Sequence, residues 1–261
     1  MTQALTLGQI TVIYGPPGGM KTTATLSWRK KIILFDFDMG AHRGWGIEKL
    51  IADGLVEVIR IPMPKPSLMS RSGKLSGYTE AWNEFIRAFN LALDDPEVLT
   101  ISIDTCTTFW KLIQDAYLQE IQVNSPNRKQ LIQIEFGEPN SRMRAVFELA
   151  KVAGKDLLMV HHEGDEYAPL LDSNGKPMVD SNNGQQIRLQ TGRKIPDGFR
   201  NTVGMADWVV RFTPAIDGKS SYTGTVEKSG KDRKWVGIDH PDFDYFNMQV
   251  MMANGGAGRG T

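Results

Sequence analysis

The chain has 261 residues, of which 41% are hydrophobic and 23% are charged, so it has enough apolar side chains to bury the core of one large domain or two small ones. This composition excludes disorder for most of the chain. Thirty Lys and Arg balance thirty Asp and Glu, which excludes a global positive field that would draw the protein to nucleic acid or to an anionic membrane.

Short β-branched runs alternate with amphipathic stretches from the first strand to residue 162, and this alternation is typical of an α/β protein with a largely parallel sheet. Trp82, Phe85 and Phe89 recur at helical spacing behind Thr79, which is the predicted N-cap of their helix. The predicted helices are 79–94, 106–123 and 139–153, and the predicted strands are 10–14, 31–37, 55–61, 98–104 and 156–162.

The character of the sequence changes after residue 162. Residues 163–206 are rich in Gly, Asn, Asp and Pro, which predicts either a mobile loop or a hairpin excursion with its turn at 173–175. Alternating runs then return without helices between them, and this favours antiparallel strands that complete the same sheet. These runs are 206–212, 221–228 and 234–238.

The patterns together predict a single α/β domain over residues 1–245. Its expected architecture is a mostly parallel central sheet flanked by helices, with late antiparallel strands. Residues 246–261, which end in ANGGAGRGT, are expected to be a flexible C-terminal tail. The stretch 62–77, rich in Pro, Ser and Lys, is expected to be a surface loop.

Cysteine content and the chain start favour a cytoplasmic protein. Cys106 is the only cysteine, which excludes an internal disulfide and is typical of a reducing compartment. No apolar run approaches the roughly 20 residues that a membrane span requires. The first residues, MTQALTLGQI, lack the basic and long apolar segments of a signal peptide.

The strongest functional signal follows the first strand, where a glycine-rich loop leads into a helix-compatible run. In a Walker A loop of this kind, backbone N–H groups and the helix N-terminus surround nucleotide phosphates, Lys21 neutralises the β and γ oxygens, and the Thr22 hydroxyl holds magnesium. We therefore expect ATP and Mg²⁺ as cofactors, and ATP rather than GTP because the guanine-reading sequence Asn-Lys-x-Asp does not occur. The predicted nucleotide-binding residues are Gly15, Pro16, Pro17, Gly18, Gly19, Met20, Lys21, Thr22 and Thr23.

One residue departs from the Walker A pattern. The pattern has a glycine immediately before the lysine, and this chain has Met20 there. The Met20 side chain must point away from the phosphates or crowd them, so its direction bears on nucleotide affinity.

Two strand ends supply carboxylates for a nucleotide site. The strand 98–104 ends in Asp104, which is the predicted support for magnesium, the alternative being a cap on the following helix. Another strand ends in Asp36 and Asp38, which strand periodicity directs to one face at the C-terminal edge of the sheet. Asp38, one step further out, is the predicted acceptor for the attacking water, the alternative being a capping or solvated turn residue.

Two histidines end the fifth predicted strand. Because adjacent strand residues face opposite ways, at most one of His161 and His162 can face the nucleotide and sense its γ-phosphate. The alternative for each is an ordinary core or surface histidine.

Taken together, GPPGGMKTT, the FDFD strand end, ISIDT, the VHH strand end and the late segment VEKSGKDR resemble the RecA-like ATPase core. The likeness is greatest to the compact bacteriophage RecA-like (Sak-type) single-strand annealing and recombination ATPases, and it spans roughly residues 8–240. It implies a RecA-like P-loop fold, water activation by Asp38, and a link from the polar strand end at 161–162 to a DNA-binding loop within 163–206. It also implies that the cytoplasm is that of a bacterial host cell.

The resemblance further implies a homo-oligomer, either a ring or a filament. In RecA-like proteins, basic residues of the late strands reach across a subunit interface to a neighbour's ATP, where a cation stabilises the charge on the transferring phosphoryl group. Lys228, Lys231 and Arg233 stand in the matching segment, and Lys228 and Arg233 are the predicted catalytic cations. The alternative is that this segment is a charged hairpin turn.

A local excess of positive charge lies where the resemblance implies a DNA loop. Single-strand binders pair such cations with aromatic side chains on which bases stack, and the segment offers Phe199, with Tyr167 further away. A second basic patch, within 62–77, is expected to be solvated. The predicted DNA-binding residues of 185–206, which Asp197 opposes, are Arg188, Arg193, Lys194 and Arg200.

These features predict an ATP-dependent recombination ATPase that binds single-stranded DNA and hydrolyses ATP at subunit interfaces, with a single-strand-binding protein as a further partner. A hexameric helicase or loader on the same core is one alternative, and duplex unwinding would distinguish it. A nucleotide-dependent switch that binds a protein partner is another, and its ATPase activity would be indifferent to DNA. A small-molecule kinase is a third, against which no arginine-rich lid is found.

Overall fold

In a computed structural model, which describes residues 7–64, 74–180, 185–215, 221–230 and 232–254, hydrophobic strands alternate with amphipathic helices as the sequence predicts. The strands are β1 (Ile10–Gly15), β2 (Ile32–Asp36), β3 (Val56–Arg60), β4 (Thr100–Asp104), β5 (Asp156–Pro169), β6 (Arg188–Pro196), β7 (Trp208–Pro214), β8 (Tyr222–Ser229) and β9 (Asp239–Pro241). The helices are α1 (Lys21–Thr25), α2 (Ile47–Ala52), α3 (Tyr78–Asp94), α4 (Cys106–Asn124), α5 (Gly137–Val152), α6 (Thr202–Met205) and α7 (Tyr245–Asn254).

The described strands form one sheet in the order β3-β2-β4-β5-β1-β7-β8-β9, with β6 paired to β5. In this spatial order, every neighbouring pair from β3 to β7 is parallel. β8 pairs antiparallel with both β7 and β9. A mostly parallel sheet flanked by helices, with late antiparallel strands, is the predicted fold class, which is thereby confirmed. The carboxyl ends of β1, β2, β4 and β5 meet at one edge, as parallel pairing requires.

The sheet is buried on both faces, which explains why its parallel strands read as continuous apolar runs. One face packs against α3, α4 and α5, and there Phe85 and Phe89 of α3 stack with ring centroids 5.3 Å apart. The other face packs against α1, α2 and α7, and the buried side chains between them form the second core. The predicted N-cap Thr79 is wrong, because α3 begins at Tyr78 and its first amides donate to the Gln119 side chain.

Residues 163–206 contain the hairpin excursion that was one of the two predicted forms. β5 continues past the sheet edge to Pro169, and its outer half pairs antiparallel with β6. Beyond these strands, Asp172 accepts hydrogen bonds from the backbone amides of Asn174 and Lys176, and Gly175 has φ 76°. The predicted turn at 173–175 is therefore present.

The late strands differ from the prediction in two respects. β7 pairs parallel with β1, because the short α6 brings the chain back to the start of the sheet before β7 begins. Residues 234–238 are not a strand: Arg233–Trp235 form a 3₁₀ turn, and the third late strand is β9. The Asp232 carboxylate accepts from the backbone amide of Lys234, which favours the turn.

The C-terminal segment also differs from the predicted flexible tail. Residues 245–254 form α7, whose Met248 and Met251 are buried against β1 and β7 neighbours in the second core. The burial of these methionines holds the helix on the protein. Residues 255–261 lie outside the described residues, as do most of the predicted surface loop, at 65–73, and Lys231. Within the described part of the chain, no helix is long and apolar enough to cross a membrane.

Candidate phosphate-binding site

The strand ends at the parallel edge enclose a cavity of about 180 Å³. The register places Asp36 beside Asp104 and Gly15 beside His162, so one residue from each of four strands meets there. Of the predicted site residues, the cavity is lined by Pro17, Gly18, Gly19, Met20, Lys21, Thr22, Thr23, Asp38, Asp104 and His162. Gly15, Pro16 and His161 lie outside the lining.

The glycine-rich loop enters α1 through Met20, at the position where the Walker A pattern has glycine. Met20 precedes α1 with φ 57°, a left-handed conformation that glycine adopts freely and that costs other residues roughly 1–2 kcal/mol. This conformation explains why the pattern has glycine there. The Met20 side chain packs against the second core, with Leu26 and Tyr222 among its neighbours around an adjoining cavity.

Lys21 is held inside the loop by backbone carbonyls. Its Nζ donates to the oxygens of Gly15 (2.9 Å) and Pro16 (2.7 Å). These two carbonyls give Gly15 and Pro16 a role in positioning the lysine. Burial lowers the pKa of the Lys21 ammonium, while the carboxylates of Asp104, Glu163 and Asp38 act in the opposite direction.

Thr22 and Asp104 are brought together by the fold, 82 positions apart in sequence. The Thr22 hydroxyl donates to Asp104 Oδ2 at 2.5 Å. Burial raises the pKa of Asp104 to about 6, against the effect of the Thr22 hydrogen bond, and the nearby Asp38 and Asp36 raise it further. A hydroxyl and a carboxylate in contact are oxygen ligands of the kind that Mg²⁺ prefers, so these residues fit the predicted metal.

Asp36 and Asp38 have different surroundings. Both oxygens of Asp36 accept from backbone amides, Gly40 N at 2.9 Å and Ala41 N at 3.1 Å, so this carboxylate orders the turn that follows β2. The role of a turn residue, which was the alternative for Asp38, is thus the one that Asp36 has. Asp38, in contrast, lines the cavity.

Asp38 is held by three side chains. Its Oδ1 accepts from Thr108 at 2.5 Å, and its Oδ2 accepts from Thr105 and His162 at 3.1 Å each. Burial raises the pKa of this carboxyl, but the hydrogen bonds from His162, Thr108 and Thr105 outweigh burial and hold the pKa below its usual value. A carboxylate has about four acceptor positions. One therefore remains for a further donor in the cavity.

The two histidines face opposite sides, as strand alternation predicts. His162 reaches the cavity through its bond to Asp38. His161 is fully buried beneath the hairpin, and because its partner is the Asp197 carbonyl oxygen, at 2.8 Å, Nδ1 is the donor. Burial lowers the pKa of His161 to about 4, so the ring is neutral near pH 7. Because His161 does not line the cavity, its position does not fit the predicted role in nucleotide binding.

The two predicted catalytic cations, Lys228 and Arg233, lie away from the cavity of their own chain. Lys228 pairs with Val209, on a level with Val12 rather than with Gly15 at the sheet edge. Its Nζ donates to the carbonyls of Val203, Gly204 and Ala206, at 2.6 to 3.1 Å, and so closes the end of α6. Arg233 is exposed beyond the end of β8, where a second subunit could reach it.

The predicted DNA-binding cations lie on or beside the hairpin, and acidic residues of β5 face several of them. Lys194 forms an ion pair with Asp165 at 2.6 Å, and Arg193 lies 3.9 Å from both Glu166 and Glu227. The local positive excess is therefore offset across the hairpin. Arg188 donates to the Tyr167 carbonyl, and Arg200 is exposed beside the end of β6.

The two aromatics of this region also differ in exposure. Phe199 is buried against Trp110, with ring centroids 5.1 Å apart, so it offers no face to a base. The prediction of Phe199 as a stacking residue is wrong. Tyr167, on β5, is half exposed.

Sequence reasoning missed several residues that the fold brings to the cavity. Thr105 and Thr108 bind Asp38, and the spacing that places both at the start of α4 was a readable signal. Arg43 lines the cavity, and Trp45, 81% exposed, donates its backbone N–H to the Thr23 hydroxyl at 3.1 Å. Both follow the FDFD strand end by a few residues, within the segment that Asp36 anchors.

Comparison with known proteins gives fold-level likeness only. No protein-family model matches the chain, and no curated protein sequence matches it. A KaiC-like protein from the hyperthermophilic archaeon Pyrococcus horikoshii OT3 is similar in structure, with a TM-score of 0.44 and 11% identity over 90% of this chain and 85% of that one. The flagellar accessory protein FlaH from Methanocaldococcus jannaschii has a TM-score of 0.40 and 10% identity over 87% and 81% of the two chains.

Proposed function

We propose that the protein binds a magnesium nucleoside triphosphate, with ATP as the expected nucleotide, and hydrolyses it as a RecA-like P-loop ATPase. The observation that carries the proposal is the contact between Thr22 of the phosphate loop and Asp104 at the end of a neighbouring strand. A glycine-rich turn without a nucleotide role has no need of that pairing. Asp38 in the same cavity supplies an acceptor for water.

Each residue of the cavity has a role that follows from its chemistry. Backbone N–H groups at the start of α1 bind phosphate oxygens, and Lys21 leaves its carbonyl partners to neutralise them. Thr22 and Asp104 would hold magnesium, which when bound would supply further positive charge to the phosphates. Asp38 orients the attacking water with its remaining acceptor position, and His162 and the two threonines keep its carboxylate ionised and in place.

The adjoining cavity of about 510 Å³ supports a nucleoside rather than a bare polyphosphate. Met20, Trp45 and Tyr222 line it, and it shares Met20 and Thr23 with the phosphate cavity. The exposed Trp45 ring offers a surface on which a base can stack.

Binding and hydrolysis of ATP test this proposal separately. Lys21→Ala is expected to abolish MgATP binding, measured with a fluorescent ATP analogue. Asp38→Asn is expected to retain binding and lose steady-state hydrolysis, because the amide presents a donor where a carboxylate oxygen accepts. Unchanged turnover in Lys21→Ala would refute the phosphate-site assignment, and loss of both properties in Asp38→Asn would make Asp38 structural.

The finer proposal is that single-stranded DNA stimulates this activity in a homo-oligomer of the phage recombination type. The hairpin supports it, since β5 runs without a break from His162 beside Asp38 into the arm that carries Tyr167 and Arg188. The paired charges of that arm reduce the attraction that one subunit can exert. DNA binding therefore depends on repetition of the arm in an assembly.

Hydrolysis measured with and without single-stranded DNA, at low and moderate salt, tests the finer proposal. Stimulation that fades steeply with salt is expected, because each phosphate contact releases counterions. Turnover that is indifferent to DNA would favour the nucleotide switch with a protein partner. Unwinding of a duplex would favour the helicase or loader.

A further inference from the structure

We propose that Arg43 binds the polyphosphate of the nucleotide from within the same chain, so that the site has two phosphate-binding cations of its own, Lys21 and Arg43. The inference rests on the proposed nucleotide function. It concerns a residue that no sequence motif marks and that the Walker A pattern does not include.

Arg43 is placed by a short segment that is fixed at both ends. It closes the 3₁₀ turn Ala41–Arg43, whose start is anchored by the Asp36 carboxylate. Just after the turn, the Trp45 backbone N–H donates to the Thr23 hydroxyl in α1. The segment therefore spans from the end of β2 to α1, the helix that follows the phosphate loop, and Arg43 lies between these two attachments.

Close packing leaves this segment little freedom. A Cβ added at Gly44 would lie 3.1 Å from the Leu26 side chain and 3.4 Å from that of Thr22, so the turn contacts α1 directly. Gly44 N also donates to the Ala41 carbonyl at 2.9 Å. Arg43 is thereby kept in the lining of the cavity that Lys21 and Asp104 share.

The guanidinium itself lies over a glycine. A Cβ added at Gly40 would be 2.5 Å from Arg43 Nη2, so the absence of a side chain at Gly40 makes the room that the guanidinium occupies. Gly40 has φ −104°, which any residue adopts. Gly40 therefore matters because it has no side chain, and not because of its backbone conformation.

Two other cations near this edge, Arg211 and Lys228, are already engaged, whereas the Arg43 guanidinium forms no hydrogen bond or ion pair with the residues that the structure describes. Arg211 is paired with Glu163 at 3.2 Å, and Lys228 is bound by three carbonyls. Arg43 lines the same cavity as the carboxylates of Asp38 and Asp104 but is bonded to neither of them. A guanidinium in this position suits phosphate oxygens, which it can bind through two parallel N–H groups.

The experiment compares MgATP affinity among variants by titration with a fluorescent ATP analogue. Arg43→Ala is expected to weaken binding by about tenfold to a hundredfold, the effect of one charge-assisted hydrogen-bonding group. Arg43→Lys is expected to recover part of the loss. Arg87→Ala, which removes an exposed arginine from α3, is the matched control and should bind as the wild type does.

Gly40→Ala provides a second test that alters no charge. The added methyl displaces the guanidinium, so affinity should fall in the same direction as in Arg43→Ala. The double variant Gly40→Ala with Arg43→Ala should bind no more weakly than Arg43→Ala alone, because both changes act on the same group. Circular dichroism of each variant checks that the fold is retained.

The outcomes separate this inference from the proposed function. If the wild type binds MgATP and Arg43→Ala binds it equally well, the assignment of Arg43 is overturned and the proposed function stands. If the wild type shows no MgATP binding, both are overturned. Additive losses in the double variant would also overturn the assignment, since Gly40 would then act independently of Arg43.

Discussion

Met20 shows how a single backbone angle explains both a motif and its exception. The residue before Lys21 has positive φ, and the chain places a methionine there, which packs against the second core and also lines the phosphate cavity. The meeting of the glycine-rich loop, Asp104 and Asp38 at one edge of the sheet could be predicted from sequence because glycine spacing and strand ends are local signals. The position of Arg43 could not, since it depends on how Asp36 orders the turn that carries it.

We expect Met20→Gly to be more stable than Met20→Ala by about 1 kcal/mol. Both variants lose the methionine packing, and they differ by one Cβ in a left-handed conformation that favours glycine. In an ordinary helical position the order is the reverse, with alanine better by roughly 1 kcal/mol. Urea unfolding of the two variants measures the difference, and a more stable alanine variant would show that Met20 does not hold this conformation.

His161 makes stability depend on pH. Its pKa is about 4 in the folded protein and about 6.5 when unfolded, so the unfolded state binds the extra proton as the pH falls through this window. The stability that the neutral ring gives is complete above pH 6.5 and is lost towards pH 4. The buried Asp104, with its raised pKa of about 6, acts in the opposite direction below pH 6.

Comparison with His161→Gln isolates the histidine, because the glutamine amide can still donate to the Asp197 carbonyl. The stability advantage of the wild type over this variant should shrink by about 2–3 kcal/mol between about pH 7.5 and pH 4.5. Urea unfolding at the two pH values measures it. An advantage that is independent of pH would mean that His161 titrates normally.

At the scale of elements, the sequence predicted periodic segments well and the irregular ones poorly. α3 has strong apolar periodicity and the parallel strands are continuous apolar runs, and their positions agree with the structure to within a few residues except at the end of β5, which continues to Pro169. α7 was missed because its apolar residues surround the helix and a glycine-rich run follows it. A readable signal was present, since Asp244 and Asn247 accept each other's backbone N–H at 2.9 Å and cap the helix start.

The docking of α7 predicts a sharp contrast between two of its residues. Met248→Ala is expected to destabilise the protein by about 2–5 kcal/mol, because it removes a fully buried side chain from the second core. Phe246→Ala is the control, since that ring is two-thirds exposed and its loss should change stability little. If urea unfolding shows equally small losses of stability for both variants, the docking of α7 would be contradicted and the prediction of a flexible tail would stand.

At the scale of the whole molecule, Lys228 and Arg233, the two cations predicted to act on a neighbouring subunit's nucleotide, differ in their contacts. Lys228 is committed to the end of α6 in its own subunit, whereas Arg233 is exposed. The assembly itself could be predicted from sequence only by resemblance, because no pattern within one chain specifies which surface meets a second copy. Arg233 is therefore the residue on which the proposal of a shared site depends.

Mixing two inactive variants tests whether the site is shared. Arg233→Ala lacks the cation and Asp38→Asn lacks the water acceptor, so mixed assemblies contain some interfaces in which both intact groups meet. We expect ATP hydrolysis by the mixture to exceed the sum of the two separate variants. Assembled mixtures without any gain in turnover would contradict a role for Arg233 in trans.

The position of β1 in the sheet has a consequence for synthesis of the protein. β1 is translated before its two neighbours, β5 and β7, which pair with it through residues as distant as Leu157 and Trp208. Until these strands are made, a nascent chain carries an apolar strand with both edges unpaired and a phosphate loop with no strand to hold it. Such distant pairing slows folding and prolongs exposure to aggregation. The cavity at the strand ends is therefore completed only after β5 has been translated.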